Sequence, residues 1–205
     1  MNDERRPLTR ARIVSRAVEL IDERGLAAMT MGNLGESFGV SDMALYKHYE
    51  SKAELLGAVL DTVLADLPSP PLSGTWRERL RAFYLGLWGL FAAHPNALPL
   101  VTSQTLGRPL IRACVERGQE LLTEAGYSGE RSRAALLALT GHALGFAVLV
   151  AGGYPDLTQE AQVKGADPAR QRVSALTATI DWAAAERDYA RGLELVLAGI
   201  EEQLG

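Results

Sequence analysis

The stretch FGVSDMALYKHYESKAELL, Phe38 to Leu56, decides how the rest of the chain is read. Two short helical runs joined by Phe38-Gly39-Val40-Ser41 have the spacing of a helix-turn-helix. Gly39 takes the left-handed turn that a side chain would strain, Val40 fills the angle between the helices, and Ser41 caps the second. In such a motif the second helix enters the major groove with its first residues against base edges. That assigns Asp42, Met43 and Ala44 to the bases and turns Leu45 and Tyr49 inward. Tyr46, Lys47 and His48 reach the groove walls, where hydroxyl, ammonium and imidazole meet phosphate oxygens. Lys52 opens the next helix, where its charge and the helix N-terminus both favour an anion, and Thr30 holds the same place on the preceding helix. An ordinary pair of helices with Tyr46 and Tyr49 in its core fits the pattern as well.

Working outward, nearly every segment reads as helix. Thr9 caps a run in which Ile13, Ala17, Leu20 and Ile21 recur at helical spacing, with Gly25 just past its end. Ser51-Lys52-Ala53-Glu54 and Thr75-Trp76-Arg77-Glu78 have the form of capping boxes, in which hydroxyl and carboxylate satisfy each other's backbone N–H groups. They open helices running to about Asp66 and His94. The third run, from Ser41, extends to about Tyr49. PSPPLSG, Pro68 to Gly74, cannot continue a helix and marks a linker. Further helices are expected at about 109–125, 130–150 and 185–203, separated by a long loop over 152–181. The only candidate strand is 173–180. The expected fold is all-α: a three-helix helix-turn-helix domain within residues 1–66, followed by a larger helical domain over 67–205.

Composition is that of an ordinary globular protein, with 47% apolar and 22% charged residues. The one cysteine, Cys114, cannot pair within the chain, which points to a reducing cytoplasm. No signal peptide is legible at the start. The longest apolar stretch, 134–151, is interrupted by Thr140, Gly141, His142 and Gly145 and reads as a buried helix rather than a membrane span. Net charge is −4, and residues 1–66 are themselves acidic, so any DNA contact must come from local placement. Arg5, Arg6, Arg10, Arg12 and Arg16 form only a modest basic arm, of a kind usually solvated. The three histidines are scattered, and no metal motif, nucleophile elbow, P-loop or dinucleotide fingerprint is present. No enzyme, metal or cofactor is expected.

Gly25 to Leu56 resembles the DNA-binding domain of TetR-family transcriptional repressors. The family pattern is matched by Gly25, Thr30, Gly39, Val40, Ser41, Leu45, Tyr46, His48 and Lys52, with Tyr49 where the pattern has Phe. Trp76–Pro95, Leu139–Leu149 and Asp188–Leu204 are similar to the tetracycline-repressor class, more loosely. The resemblance implies a homodimer closed by a four-helix bundle and a ligand cavity whose filling re-spaces two recognition helices on double-stranded operator DNA. Gly141, Ala143, Gly145, Ala147, Gly192, Ala198 and Gly199 would permit the close packing of such a bundle, or of helices within one chain. Departures are also visible. Gly32 stands where that class has a guanine-reading arginine, and Asp42-Met43-Ala44 replaces its Gln-Pro-Thr, which implies a different operator.

The effector is expected to be small and largely apolar. Phe83, Leu87 and Val101 align with polar and aromatic drug-binding positions of that class, which disfavours a magnesium-chelated tetracycline. Phe83, Leu87, Trp88, Val101, Gln104, Arg112, His142 and Phe146 are the candidate ligand residues: an aromatic surface with a few polar anchors. Core packing explains most of them equally well. The alternative to a repressor is a helical ligand-binding or adaptor protein without DNA binding.

Overall fold

The computed structural model describes residues 7–104, 108–151 and 182–203. The loop over 152–181, its candidate strand, and Arg5 and Arg6 of the basic arm lie outside the described residues. Nine α-helices and no strand are found among those described. They are α1 (Arg10–Arg24), α2 (Met31–Ser37), α3 (Asp42–Tyr46), α4 (Lys52–Ala65), α5 (Trp76–Ala93), α6 (Leu98–Gln104), α7 (Pro109–Glu124), α8 (Gly129–Ala151) and α9 (Trp182–Glu202). Short 3-10 turns occupy Leu26–Ala28 and Pro95–Ala97.

The helices begin where local chemistry dictates. Thr9, Thr30 and Ser51 each accept, at the side-chain oxygen, a backbone N–H three residues on. At Thr75 both halves of the capping box form: Glu78 N–H reaches the Thr75 hydroxyl at 3.2 Å, and the Glu78 carboxylate accepts the Thr75 N–H at 2.8 Å. Two expectations need correction. Ser41 occupies the N-cap of α3 but makes no side-chain cap bond, because the Asp42 carboxylate takes the Met43 N–H at 2.8 Å. The Ser51 box closes only halfway: Glu54 reaches back past Ser51 to the Glu50 N–H at 2.6 Å. In addition, α3 stops at Tyr46, short of Tyr49. Helix α6 has no counterpart in the helices read from the sequence.

The chain forms two compact units, the first comprising residues up to Leu67 together with Ala93–Ile111, the second Pro68–Ala92 and the remainder. In the first, α1 packs on α2, α4 and the Pro95–Ala97 turn, and α6 packs on α4. Its core includes Ile13, Ala17, Leu34, Leu45, Tyr49 and Leu60. His94 and Asn96 hold this added segment to α1, through the Asp22 carboxylate at 2.9 Å and its carbonyl at 2.8 Å.

In the second unit α8 packs against α9. The fully buried Ala143 and Ala147 of α8 and Ala185, Tyr189, Leu193 and Leu197 of α9 are at helical spacing. Arg77 pairs with Glu194 and Glu201, and Arg81 with Glu194, tying α5 to α9. The Pro68–Gly74 segment lies on α5: a Cβ at Gly86 would come within 2.1 Å of the Pro68 ring, and Arg79 Nε donates to the Pro71 carbonyl at 2.6 Å. Helix α8 is long and apolar enough to cross a bilayer by length and composition. It is not buried all round, contrary to expectation: Leu137, Val148 and Leu149 are exposed.

Candidate nucleic-acid interface

The geometry between α2 and α3 is set by two glycines. Gly39 has φ +68°, the left-handed turn expected of it. Gly35, which the sequence reading passed over, allows α2 to touch the turn: a Cβ there would lie 2.8 Å from the Val40 carbonyl oxygen and 3.1 Å from the Asp42 nitrogen. A real Cβ cannot approach backbone that closely. The signal was legible only as a small residue four before Gly39.

Helix α3 then presents two faces. Leu45 is 0% exposed and Tyr49 2%, both inward as expected, whereas Met43 is 66% and Tyr46 40% exposed. Ser41, Asp42, Lys47, Lys52 and Thr30 are exposed, and Ala44 and His48 are half-buried. All nine sequence-selected residues therefore fall on or beside one short motif. The Thr30 hydroxyl accepts the Asn33 N–H at 3.0 Å, which leaves its own O–H available to donate. Tyr46, Lys47, His48 and Lys52 make no side-chain bond to another described residue.

The described arginines of the arm, Arg10, Arg12 and Arg16, behave differently, being committed within the unit. Arg16 pairs with Glu19 and Glu23. Arg12 donates to the Pro7 carbonyl and lies over the Phe38 ring. Arg10 donates to the His48 carbonyl and to Glu54, and its guanidinium lies 3.9 Å from the Tyr49 ring centroid. The Glu54 carboxyl is held below its ordinary range by the Arg10 and Glu50 bonds.

Residues 13–59 match the family described as bacterial regulatory proteins, tetR family, and residues 67–204 match the tetracyclin repressor-like C-terminal domain. The chain belongs to the tetR family of bacterial regulatory proteins. An HTH-type transcriptional regulator of Saccharopolyspora erythraea is 32% identical over 139 residues, 67% of this chain and 59% of that protein. The chain spans between half and six-tenths of the length of the first two curated relatives it matches. The tetracycline repressor class C of Escherichia coli is 23% identical across 95% of this chain and 91% of its own. Among solved structures, Streptomyces coelicolor ActR in complex with actinorhodin superposes with a TM-score of 0.73 at 25% identity, covering 98% of this chain and 100% of that one.

The second set of candidates lies mainly in the other unit of this tetR-family chain. Trp88 on α5 and His142 and Phe146 on α8 meet around Tyr189 of α9. Its ring stacks on Trp88 at 4.8 Å and on His142 at 4.9 Å, and tilts against Phe146 at 5.8 Å. Polar tips inside the cluster bond to one another. The Tyr189 hydroxyl donates to the Tyr84 carbonyl at 2.8 Å, the Tyr84 hydroxyl pairs with Thr140 at 3.0 Å, and His142 Nε2 donates to the Tyr189 carbonyl at 3.0 Å. Burial pushes the Tyr84 phenol up to about 12 and raises Tyr189 as well. Phe83 packs edge-on to Tyr84, and Leu87 is buried beside them on α5. Arg112 is exposed on α7. Val101, buried, and Gln104 lie on α6 in the first unit. Tyr189 was missed, although its spacing of four with Ala185, Leu193 and Leu197 marks it as core-facing. Among the described residues no group of His, Cys, Asp and Glu could hold a metal ion.

Proposed function

We propose that the chain is a ligand-responsive transcriptional repressor of the cytoplasm, with residues 1–66 binding DNA and residues 67–205 binding effector and dimerising. The observation that carries this reading is the outward row on and beside α3. Tyr46, Lys47, His48 and Lys52 have side-chain donors that no described residue uses, beside an arm whose Arg10 and Arg16 are paired to carboxylates. Such donors suit phosphate oxygens, and the exposed Asp42 and Met43 are left to meet base edges. A homodimer would hold two α3 helices about 34–36 Å apart on a pseudo-palindrome.

Dimerisation is supported by the bare apolar faces of the two long helices. Leu137, Gly141, Gly145 and Val148 on α8, and Leu195, Ala198 and Gly199 on α9, are exposed. The other small residues, Ala143, Ala147 and Gly192, are used inside the chain, and Gly192 makes room for the His142 ring. The effector is a small, largely apolar molecule bounded by the aromatic residues around Trp88, His142 and Phe146. ActR, solved with actinorhodin bound, shows a protein of similar fold holding a small molecule. Filling of the site would favour a state with the wrong helix spacing, and its effect on DNA is limited to its differential affinity for the two states.

The exposed Asp42 at the head of α3 favours a second reading, a ligand-binding protein without DNA binding, since a carboxylate repels phosphate. Fluorescence anisotropy of the full chain against duplexes selected from a random pool, at two salt concentrations, separates the two. Salt-dependent binding that discriminates against scrambled duplex is the expected result. Equal affinity for both duplexes would favour the second reading.

A further inference from the structure

We propose that Arg10 is a positioning residue for DNA recognition, fixing the end of α3 against α1 and α4 without itself contacting phosphate. The inference rests on the DNA-binding reading above. Helix α3 has five residues, too few to hold its own direction by internal hydrogen bonds. At its start the Gly35 contact sets its approach to α2. At its end the chain passes through His48 and Tyr49, and one side chain from the first turn of α1 engages both of these residues and the start of α4. Arg10 donates to the His48 carbonyl, an acceptor left over beyond the helix end. It also donates to Glu54 of α4 at 2.6 Å and covers the Tyr49 ring at 3.9 Å. The Tyr49 hydroxyl returns a bond to the Arg10 carbonyl at 3.2 Å, and the second Glu54 oxygen accepts the Glu50 N–H at 2.6 Å. The hydroxyl exists only because this chain has Tyr49 where the family pattern has Phe.

Exposure alone would make Arg10 a phosphate contact, since its side chain is 55% accessible. Its donors nevertheless point into the unit, and Glu54 neutralises its charge. Two donors held in one plane for two different acceptors, combined with stacking, are specific to guanidinium, so lysine cannot reproduce the set. Charge and geometry can therefore be separated experimentally.

The test compares full-length wild type with Arg10→Ala, Arg10→Lys and Glu54→Gln. Each is titrated into a duplex selected by wild type and into a scrambled duplex, at several salt concentrations, with the active fraction measured by stoichiometric titration. Both Arg10 variants should weaken selected-duplex binding by about tenfold, the size of one lost base contact. For Arg10→Lys, which keeps the charge, scrambled-duplex binding and salt slope should match wild type, and the active fraction should match for both. Glu54→Gln should show the same loss, although removing a negative charge would by itself strengthen binding to a polyanion. Three results overturn the proposal. In the first, Arg10→Lys retains affinity while Arg10→Ala loses it and flattens the slope by about one unit, which makes Arg10 a phosphate contact. The loss can fall entirely in the active fraction, which makes the clamp merely structural. All three variants can bind as wild type. Wild-type protein that selects no duplex defeats the DNA-binding reading itself, and this inference with it.

Discussion

On α3 of the first unit, Met43 is 66% and Tyr46 40% exposed, whereas Tyr84, Trp88 and Tyr189 of the second unit are all at 3% or below. The Tyr46 hydroxyl bonds no described residue, while the hydroxyls of Tyr84 and Tyr189 are answered within the unit, by Thr140 and by the Tyr84 carbonyl. The same residue type serves opposite ends. An aromatic with its polar tip satisfied inside stabilises a core, and one with its tip directed to solvent is available to a partner. The comparison yields a direct test. Tyr189→Ala should destabilise the second unit by about 3–5 kcal/mol, the usual cost of emptying a buried aromatic site. Urea unfolding followed by tryptophan fluorescence reads it, because Trp76, Trp88 and Trp182 all belong to that unit. Tyr46→Ala should leave the midpoint unchanged and weaken DNA binding.

Alkaline pH probes the same buried cluster without mutation. Burial raises Tyr84 from the ordinary phenol value near 10 to about 12 and moves Tyr189 in the same direction. A folded-state pKa above the unfolded one contributes stability that is complete below pH ~10 and lost as pH rises through the folded value. The second unit should therefore lose about 2–3 kcal/mol by pH ~12 from Tyr84 alone. Tyr84→Phe should flatten that fall, although it also removes the partner of Thr140. Phenolate absorbance that develops fully below pH ~11 in the folded protein would show both groups to be ordinary phenols.

Smaller effects are expected in the first unit, where backbone approach matters more than buried area. Gly35→Ala gains about 1 kcal/mol of helix propensity but forces a Cβ against the Val40 carbonyl, an overpacking cost of about 1–3 kcal/mol. The balance should be a loss of up to about 2 kcal/mol. Faster hydrogen exchange in α2 and α3, with α8 and α9 unchanged, is the expected signature.

Gly35 also shows where the sequence stops being legible. Caps at Thr9, Thr30, Ser51 and Thr75 could be read because hydroxyl and recipient N–H are three residues apart, and the turn at Gly39 because its constraint lies in its own φ. The nine residues proposed for DNA all fall on one local motif, so the same logic places them. Partners distant in the chain escape this reading. Arg10 meets residues 38 and 44 positions away, and Gly86 meets Pro68. Helix α6 was hidden by Pro99, which the first turn of a helix tolerates. Of the ligand candidates, Trp88, His142 and Phe146 come together because Tyr189 on α9 collects them from two other helices, α5 and α8, a relation no local pattern contains.

The smallest expected effect sharpens the contrast most, because it separates two kinds of exposed residue within the first unit. Lys52 opens α4, exposed and with no internal side-chain bond, so its charge is free to neutralise one phosphate. Lys52→Ala should weaken binding to selected and scrambled duplexes alike and flatten the dependence on log salt by about one unit, since one fewer counterion is released. Met43 carries no charge and is more exposed than Tyr46 on the same helix. Met43→Ala should keep the slope and change the preferred sequence, with a discrimination shift of about 1–3 kcal/mol if it touches a base edge. Selection from a random pool with each variant measures both. A preference profile identical to wild type for Met43→Ala would remove α3 from base reading even if Lys52 behaved as expected. The motif would then bind DNA by charge placement alone, and an acidic first unit is poorly suited to do that.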